Sequence, residues 1–588
     1  MPRLSRLAAA GCLAASLAAV APAGAAAQSG SGSGSKASGA DLILELHHSP
    51  GFHRFVRGVS DPTSPTYRQY RSVNALAKQF GASPKAKQRA LSYLDAHGIE
   101  GEVAATGTFI TASGTRAQIA EAFGAAGARS AGPSTDPTPP VPAKLRGAVD
   151  AVTVAGDEPV VEPHAGLRQA AQPTPASARP RTGTPAGCPE GVASGGFTPN
   201  QVLTAYGHKA LHEQGITGKG VRVAVIEIDG FDPKDVAAYA QCFGVKVPPI
   251  TRKAVGTPGN KLLAPGPETT LDLQVLATAA PGLESIDVYE GGASTEGILA
   301  SVSEAIGGKP AIAPDVISIS LGGCEANDAL DSGYARALNE LFALAAGAGI
   351  SVFVSSGDSG ATPCQNGNQG PVPVFSVEFP ASSQYVTAVG GTNITLSAAN
   401  RLTGQLVWNE SADGSWGAGG GGFSNLFGRP WYQRTLAAPS VEANTTRMVP
   451  DIAALADTKP GYAYFCTNQE CQEELKFVGW GTVGGTSAAA PLMAAGAALA
   501  NEAARKAGQP RLGFVNPLIY TLGTSKGSSR VLSDVTVGSN DVGVLITPPN
   551  GTGAPLGVFS AAKGFDAVTG WGSPKVAAFA KAALAAGR

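Results

Sequence analysis

The string Gly484-Gly485-Thr486-Ser487-Ala488-Ala489-Ala490-Pro491 leads straight into an alanine-rich stretch that reads as a helix. Glycines let the backbone approach a substrate closely. A serine at a helix start lies in the positive field of the dipole, which helps an alkoxide form. The plain alternative is a capping serine followed by a first-turn proline. Two carboxyls offer complementary chemistry. In Pro267-Glu268-Thr269-Thr270-Leu271-Asp272 the acids stand four apart at the start of a predicted helix, so they share one face. Close carboxyls in a partly buried site do not both ionise cheaply, and one holds a proton. Such a pair works as a general base or acid at low pH; first-turn acids also simply complement the dipole. A third carboxyl, Asp358, sits in the tight turn Ser355-Ser356-Gly357-Asp358-Ser359-Gly360 after a strand-like run. When protonated it could donate a hydrogen bond to an oxyanion. The plain reading is an Asx-turn.

The histidines decide which activator Ser487 could have. All seven are His47, His48, His53, His97, His164, His208 and His212. None follows position 212, and the last two precede the first core strand, where a packing role is expected. A nucleophilic Ser487 therefore needs something other than histidine to take its proton.

The elements that would position these residues follow from the apolar pattern. From about residue 197 onward, short β-branched runs at 221–226, 285–289, 316–320, 350–354 and 386–389 alternate with helical runs at 233–242, 268–279, 295–306, 329–346 and 487–506. This alternation predicts an α/β fold, a parallel sheet flanked by helices. Sites in such sheets collect at the carboxyl ends of the strands. Residues 41–165 read as a small α+β unit, with helices near 75–80, 85–97 and 116–123 and strands near 42–46 and 109–112. Residues 166–194, rich in Pro, Ala, Thr and Arg, read as an exposed linker open to proteolysis.

Several separated motifs, in order, resemble the sedolisins, the serine-carboxyl peptidases (kumamolisin-like). They are Glu268-x-x-x-Asp272, Ser356-Gly357-Asp358-Ser359-Gly360, Gly485-Thr486-Ser487, VISISLG from Val316, GGGFS from Gly420, VPDIAA from Val449 and TGWGSP from Thr569. The first unit is similar to their pro-domain through SDPTSPTYRQY from Ser60, Phe80-Gly81 and GTRAQIAEAFG from Gly114. The resemblance implies a subtilisin-like sheet preceded by a pro-domain that assists folding and occludes the site. It implies Ser487 as nucleophile, Glu268 as base and then acid, Asp272 as its orienting partner, and Asp358 in the oxyanion hole with the backbone N–H of Ser487. It also implies one structural Ca2+, held by the carboxylates of Asp534 and Asp566 and the carbonyls of Val535, Ala562 and Gly564, all hard oxygen donors. Ala562 stands where the family usually shows glycine. Ser320 and Gly322, on an edge segment, and the glycines at 417–422 are expected to flank the substrate cleft, where an extended peptide would pair its backbone.

The start of the chain reads as an export signal. Arg3 and Arg6 precede an apolar run, then Pro22 and small residues up to Ala27. The run is too short to span a membrane, for which roughly 20 residues are needed. Residues 1–27 are thus the expected signal, 28–40 a Gly/Ser linker, 41–165 the pro-domain and 195–588 the peptidase. The expected product is a secreted, extracellular protein. Cys12 would leave with the signal. Of the other cysteines, Cys466 and Cys471 flank a short turn-like stretch and are the easiest pair, with Cys188–Cys242 and Cys324–Cys364 to follow. Lys+Arg of 43 against Asp+Glu of 44 leaves no basic excess for nucleic acid. A charged fraction of 15% excludes a charged disordered chain.

The expectation is an acid-active endopeptidase made as a zymogen, acting on proteins and peptides, held by its own pro-domain, monomeric, with no membrane or nucleic-acid partner. The rival readings are a tripeptidyl exopeptidase of the same family and an inactive relative serving as a secreted binding protein.

Overall fold

In the N-terminal unit, alternation along a single strand sends side chains to two different places. Within the strand Gly39–Leu46, Leu42, Leu44 and Leu46 enter the unit's own apolar core, while Ile43 faces the other way and joins the core of the peptidase region. Phe109 and Ile110 of the neighbouring strand divide likewise. The four-stranded sheet runs Glu100–Val103, Phe109–Thr115, Gly39–Leu46, Val149–Ala155, and all its pairs are antiparallel. Helices Val73–Phe80, Pro84–Asp95 and Arg116–Phe123 start on Ser72, Ser83 and Thr115, whose side chains accept backbone N–H groups three residues on. A further helix, Gly51–Ser60, was not legible in the sequence: Pro50 stands at its start, with no side-chain cap.

The computed structural model describes residues 39–124, 140–155, 161–163, 166–168, 182–308, 312–326, 332–365, 374–411, 417–436, 445–475, 478–543, 545–547, 551–552 and 556–587. The expected signal, 1–27, lies outside them. None of the described helices is long and apolar enough to cross a membrane.

The larger region is built on a seven-strand path: Leu402–Val407, Thr387–Leu396, Ser351–Ser355, Val316–Ile319, Arg222–Glu227, Ser285–Glu290 and Ile250–Ala254, with Ile452–Leu455 branching off Thr387–Leu396. All pairs are parallel except the edge strand Leu402–Val407. The central strands are buried along nearly their whole length because helices cover both faces. The buried helix Thr486–Lys506 lies across the sheet and against helix Pro267–Ala279. Helix Pro267–Ala279 is buried along its whole length. The three disulfides are Cys188–Cys242, Cys324–Cys364 and Cys466–Cys471, as the sequence suggested.

Candidate active site

Strand Arg222–Glu227 ends at the floor of the site. Two residues on, Asp229 caps helix Pro267–Ala279 from outside: its carboxylate accepts the N–H groups of Glu268 and Thr269, both at 3.0 Å, and the Thr269 hydroxyl at 2.5 Å. This cap fixes the first turn and so fixes Glu268. Asp272, one turn further, lies on the same face. Its Oδ1 accepts the Ser320 hydroxyl at 2.8 Å, and Oδ2 makes no hydrogen bond. The Ser320 hydroxyl also lies 3.2 Å from the carbonyl of Ser487, and the Ser487 hydroxyl donates to the Ser320 carbonyl at 3.2 Å. Ser320 thus joins the nucleophile candidate to the acid pair.

Glu268 and Asp272 are 1% and 0% exposed, and no hydrogen bond reaches either Glu268 oxygen. Burial pushes the Glu268 carboxyl well above the usual carboxylate range. The charge of Asp272 raises it further, and the Ser487 hydroxyl beside it offsets part of the shift. Asp272 is pushed up by burial and held down in part by Ser320. Asp229 is pushed up to about 6, mainly by burial.

The Asp358 turn follows strand Ser351–Ser355. Its Oδ1 accepts both the N–H and the hydroxyl of Thr486 at 2.8 Å, and the Thr486 hydroxyl in turn accepts the N–H of Gly357 at 3.1 Å. Asp358 is thereby locked to the residue before Ser487. Gly357 has φ +109°, a conformation open to glycine. The glycines at 417–422 are buried and packed, not a loose loop: Gly420 donates to the Gly357 carbonyl at 2.7 Å. A Cβ on Gly420 would lie 2.1 Å from the Ser356 carbonyl oxygen, so only glycine fits.

Two carboxyls escaped the sequence reading of the site: Asp229 and Glu227. Glu227 is 0% exposed with neither oxygen hydrogen-bonded. Burial raises it well above the carboxylate range, and Asp272, Asp229 and Glu268 add to this. The signal that could have found both is an acid at the carboxyl end of a buried apolar strand, where α/β sites gather. His208 and His212 lie away from this cluster, bonded to the carbonyls of Leu492 and Ala279.

The edge strand Leu321–Cys324 is paired by the chain itself. Glu162–Pro163 runs antiparallel to it, with Pro163 opposite Leu321 and Glu162 opposite Gly322. Gly166–Arg168 runs antiparallel to Thr482–Gly484, with Gly166 opposite Gly484, three residues before Ser487. Two described pieces of this stretch thus pair with the strands that carry Leu321 and Gly484.

The residues Asp534 and Asp566 converge on one loop. Asp534 Oδ2 accepts the N–H of Gly564 at 2.9 Å, and Asp566 Oδ2 that of Ala562 at 2.8 Å. Ala562 has an ordinary negative φ, so its side chain is accommodated, while Gly564 has φ +89°. Among the described residues no three His, Cys, Asp or Glu side chains group as a metal site. Two carboxylates converging on one loop supply oxygen donors of the kind a hard cation takes.

The fold is subtilisin-like, and its candidate site gathers a buried serine and four buried carboxyls with no histidine among them. Residues 26–155 match the profile described as "Pro-kumamolisin, activation domain", and residues 274–518 match "Subtilase family". The chain is 33% identical over 442 residues to kumamolisin of Bacillus sp. (strain MN-32), covering 74% of this chain and 70% of that one. It is 32% identical over 375 residues to tripeptidyl-peptidase 1 of Homo sapiens, covering 60% and 58%. The solved structure of Pseudomonas sedolisin, a serine-carboxyl proteinase, superposes with a TM-score of 0.54 at 27% identity, over 68% of this chain and 98% of that one. The chain belongs to the sedolisin family and is a zymogen-type peptidase carrying its own pro-domain.

Proposed function

We propose that the chain is a secreted zymogen whose mature form is an acid-active endopeptidase. The observation that carries the endopeptidase reading is the pairing of Glu162–Pro163 with Leu321–Gly322 and of Gly166–Arg168 with Thr482–Gly484. This stretch enters the groove with the whole N-terminal unit still attached, so the groove accepts chain that continues far beyond three residues. A tripeptidyl exopeptidase must instead bind a free amine at that distance.

In this reading Ser487 Oγ attacks the substrate carbonyl and gives its proton to Glu268. Asp272 holds Glu268 in place and shares its proton. The backbone N–H of Ser487 and a protonated Asp358 receive the oxyanion. Glu268 then protonates the departing amine, and water releases the acyl group by the reverse proton path. Ser320 and Gly322 pair with the substrate backbone. An ionised Asp358 would repel the oxyanion, so activity belongs to acid. Residues 41–165 act as inhibitor, 166–194 as activation linker and 195–588 as peptidase. Asp534, Asp566 and the carbonyls of Val535, Ala562 and Gly564 hold one structural Ca2+, which steadies the loop.

The test is hydrolysis of an unfolded protein by the wild type and Ser487→Ala, from about pH 2.5 to 8. Acid-only activity with internal cuts, absent in the variant, is expected. A maximum near neutral pH would sink the protonated-Asp358 mechanism, and release of N-terminal tripeptides alone would make the protein an exopeptidase. Inactivity of both the intact and the linker-cut protein would leave a binding protein.

A further inference from the structure

The segment in the groove also carries information about what the mature groove selects. Glu162 and Pro163, the two residues that pair with the edge strand, are exposed. Val161, immediately before them, is 2% exposed. It belongs to the large apolar cluster that holds Leu321 and Phe379 together with Ile43 and Phe52, and not to the smaller cluster inside the N-terminal unit. Leu321 is the partner of Pro163, and Phe379 pairs with Gly323 on the other side of the same edge strand. Phe379 is itself held by Tyr334 and Phe427, at ring centroid distances of 5.6 and 5.9 Å. Val161 is thus shielded from water one residue before the backbone pairing of Glu162 and Pro163 with Gly322 and Leu321.

Resting on the peptidase reading above, we propose that the mature groove has an enclosed subsite for an aliphatic side chain, filled in the zymogen by Val161. Substrates would carry Val or a residue of similar shape two positions before the one that pairs with Leu321. Taking an isopropyl group out of water favours binding by roughly 10- to 100-fold. A carboxylate at that position would be desolvated without a partner and rejected more strongly.

The test uses enzyme matured from the full chain and a quenched peptide with the sequence of residues 159–168. The readouts are kcat/KM and the cut position by mass spectrometry. Substituting the peptide as Val161→Ala should lower kcat/KM roughly 10-fold, and Val161→Asp at least about 100-fold, while Glu162→Gln stays within about 3-fold. A Val161→Asp peptide cleaved within about 3-fold of the parent would overturn the subsite. So would an uncut parent peptide in a preparation that digests unfolded protein. If neither peptide nor protein is cut, the peptidase reading itself fails.

Discussion

Around Ser487, Glu227, Asp229, Glu268 and Asp272 are buried together, with no histidine among them. Between the N-terminal unit and helix Ser332–Gly347 lies a second ionisable cluster: Glu45, His47, His48, His53 and Asp150 on one side, Arg336, Glu340 and Tyr385 on the other. His53 bonds Tyr385 at 2.9 Å and lies 3.4 Å from Glu340. Burial acts on both clusters, but on opposite charges. Buried carboxyls are pushed up, so the stability they lend is complete below their ordinary value and is lost as pH rises through the raised one. Burial lowers His48 to about 4 and also lowers His53, so what they lend is complete above 6.5 and is lost as pH falls. Glu340, pushed up to about 8, sides with the carboxyls. Acid therefore suits the site and loosens the histidine side of the pro-domain's grip.

The comparison can be broken most sharply at the nucleophile. Ser487→Ala should lower peptide hydrolysis by at least about 10^4-fold at every pH and leave the linker uncut; persistent self-processing, read on a gel, would move the chemistry elsewhere. Next comes the oxyanion side. Asp358→Ala should lower kcat by about 10^2- to 10^3-fold. Asp358→Asn, which keeps a donor that does not titrate, should retain more activity and hold it to higher pH. The interface is sharpened in a Ser487→Ala background, where no self-cleavage intrudes. Linker cutting by an added protease should rise as pH falls from about 7 to 4, and His48→Gln with His53→Gln should blunt that rise roughly 10-fold. The smallest effect concerns Glu227. Glu227→Gln should flatten the loss of stability with rising pH, gaining about 1–2 kcal/mol near neutrality, read as Tm against pH. An unchanged slope would remove Glu227 from the carboxyl cluster's pH response.

Much of this was legible because it depends on short periods. The four-residue spacing of Glu268 and Asp272 puts them on one helical face whatever the tertiary context, and the β-branched runs mark central strands within a residue or two. Glu227 and Asp229 were not, since a single acid after an apolar run has no periodicity. The strand Glu162–Pro163 was also hidden. Proline argues against a strand, and its partner lies some 160 residues away, where only the closed fold sets the register. The antiparallel edge strand Leu402–Val407 is half-exposed and carries no continuous apolar run.

In the zymogen proposed above, the strand Glu162–Pro163 is covalently continuous with the protein it would block. Its local concentration is then set by the tether, on the order of millimolar, and is indifferent to how much protein surrounds it. One cut changes this. The freed N-terminal unit must then compete from bulk solution, and its hold weakens with every dilution. A crowded compartment of synthesis would keep even nicked molecules silent, and dispersal into a large volume would release them without any further chemical signal.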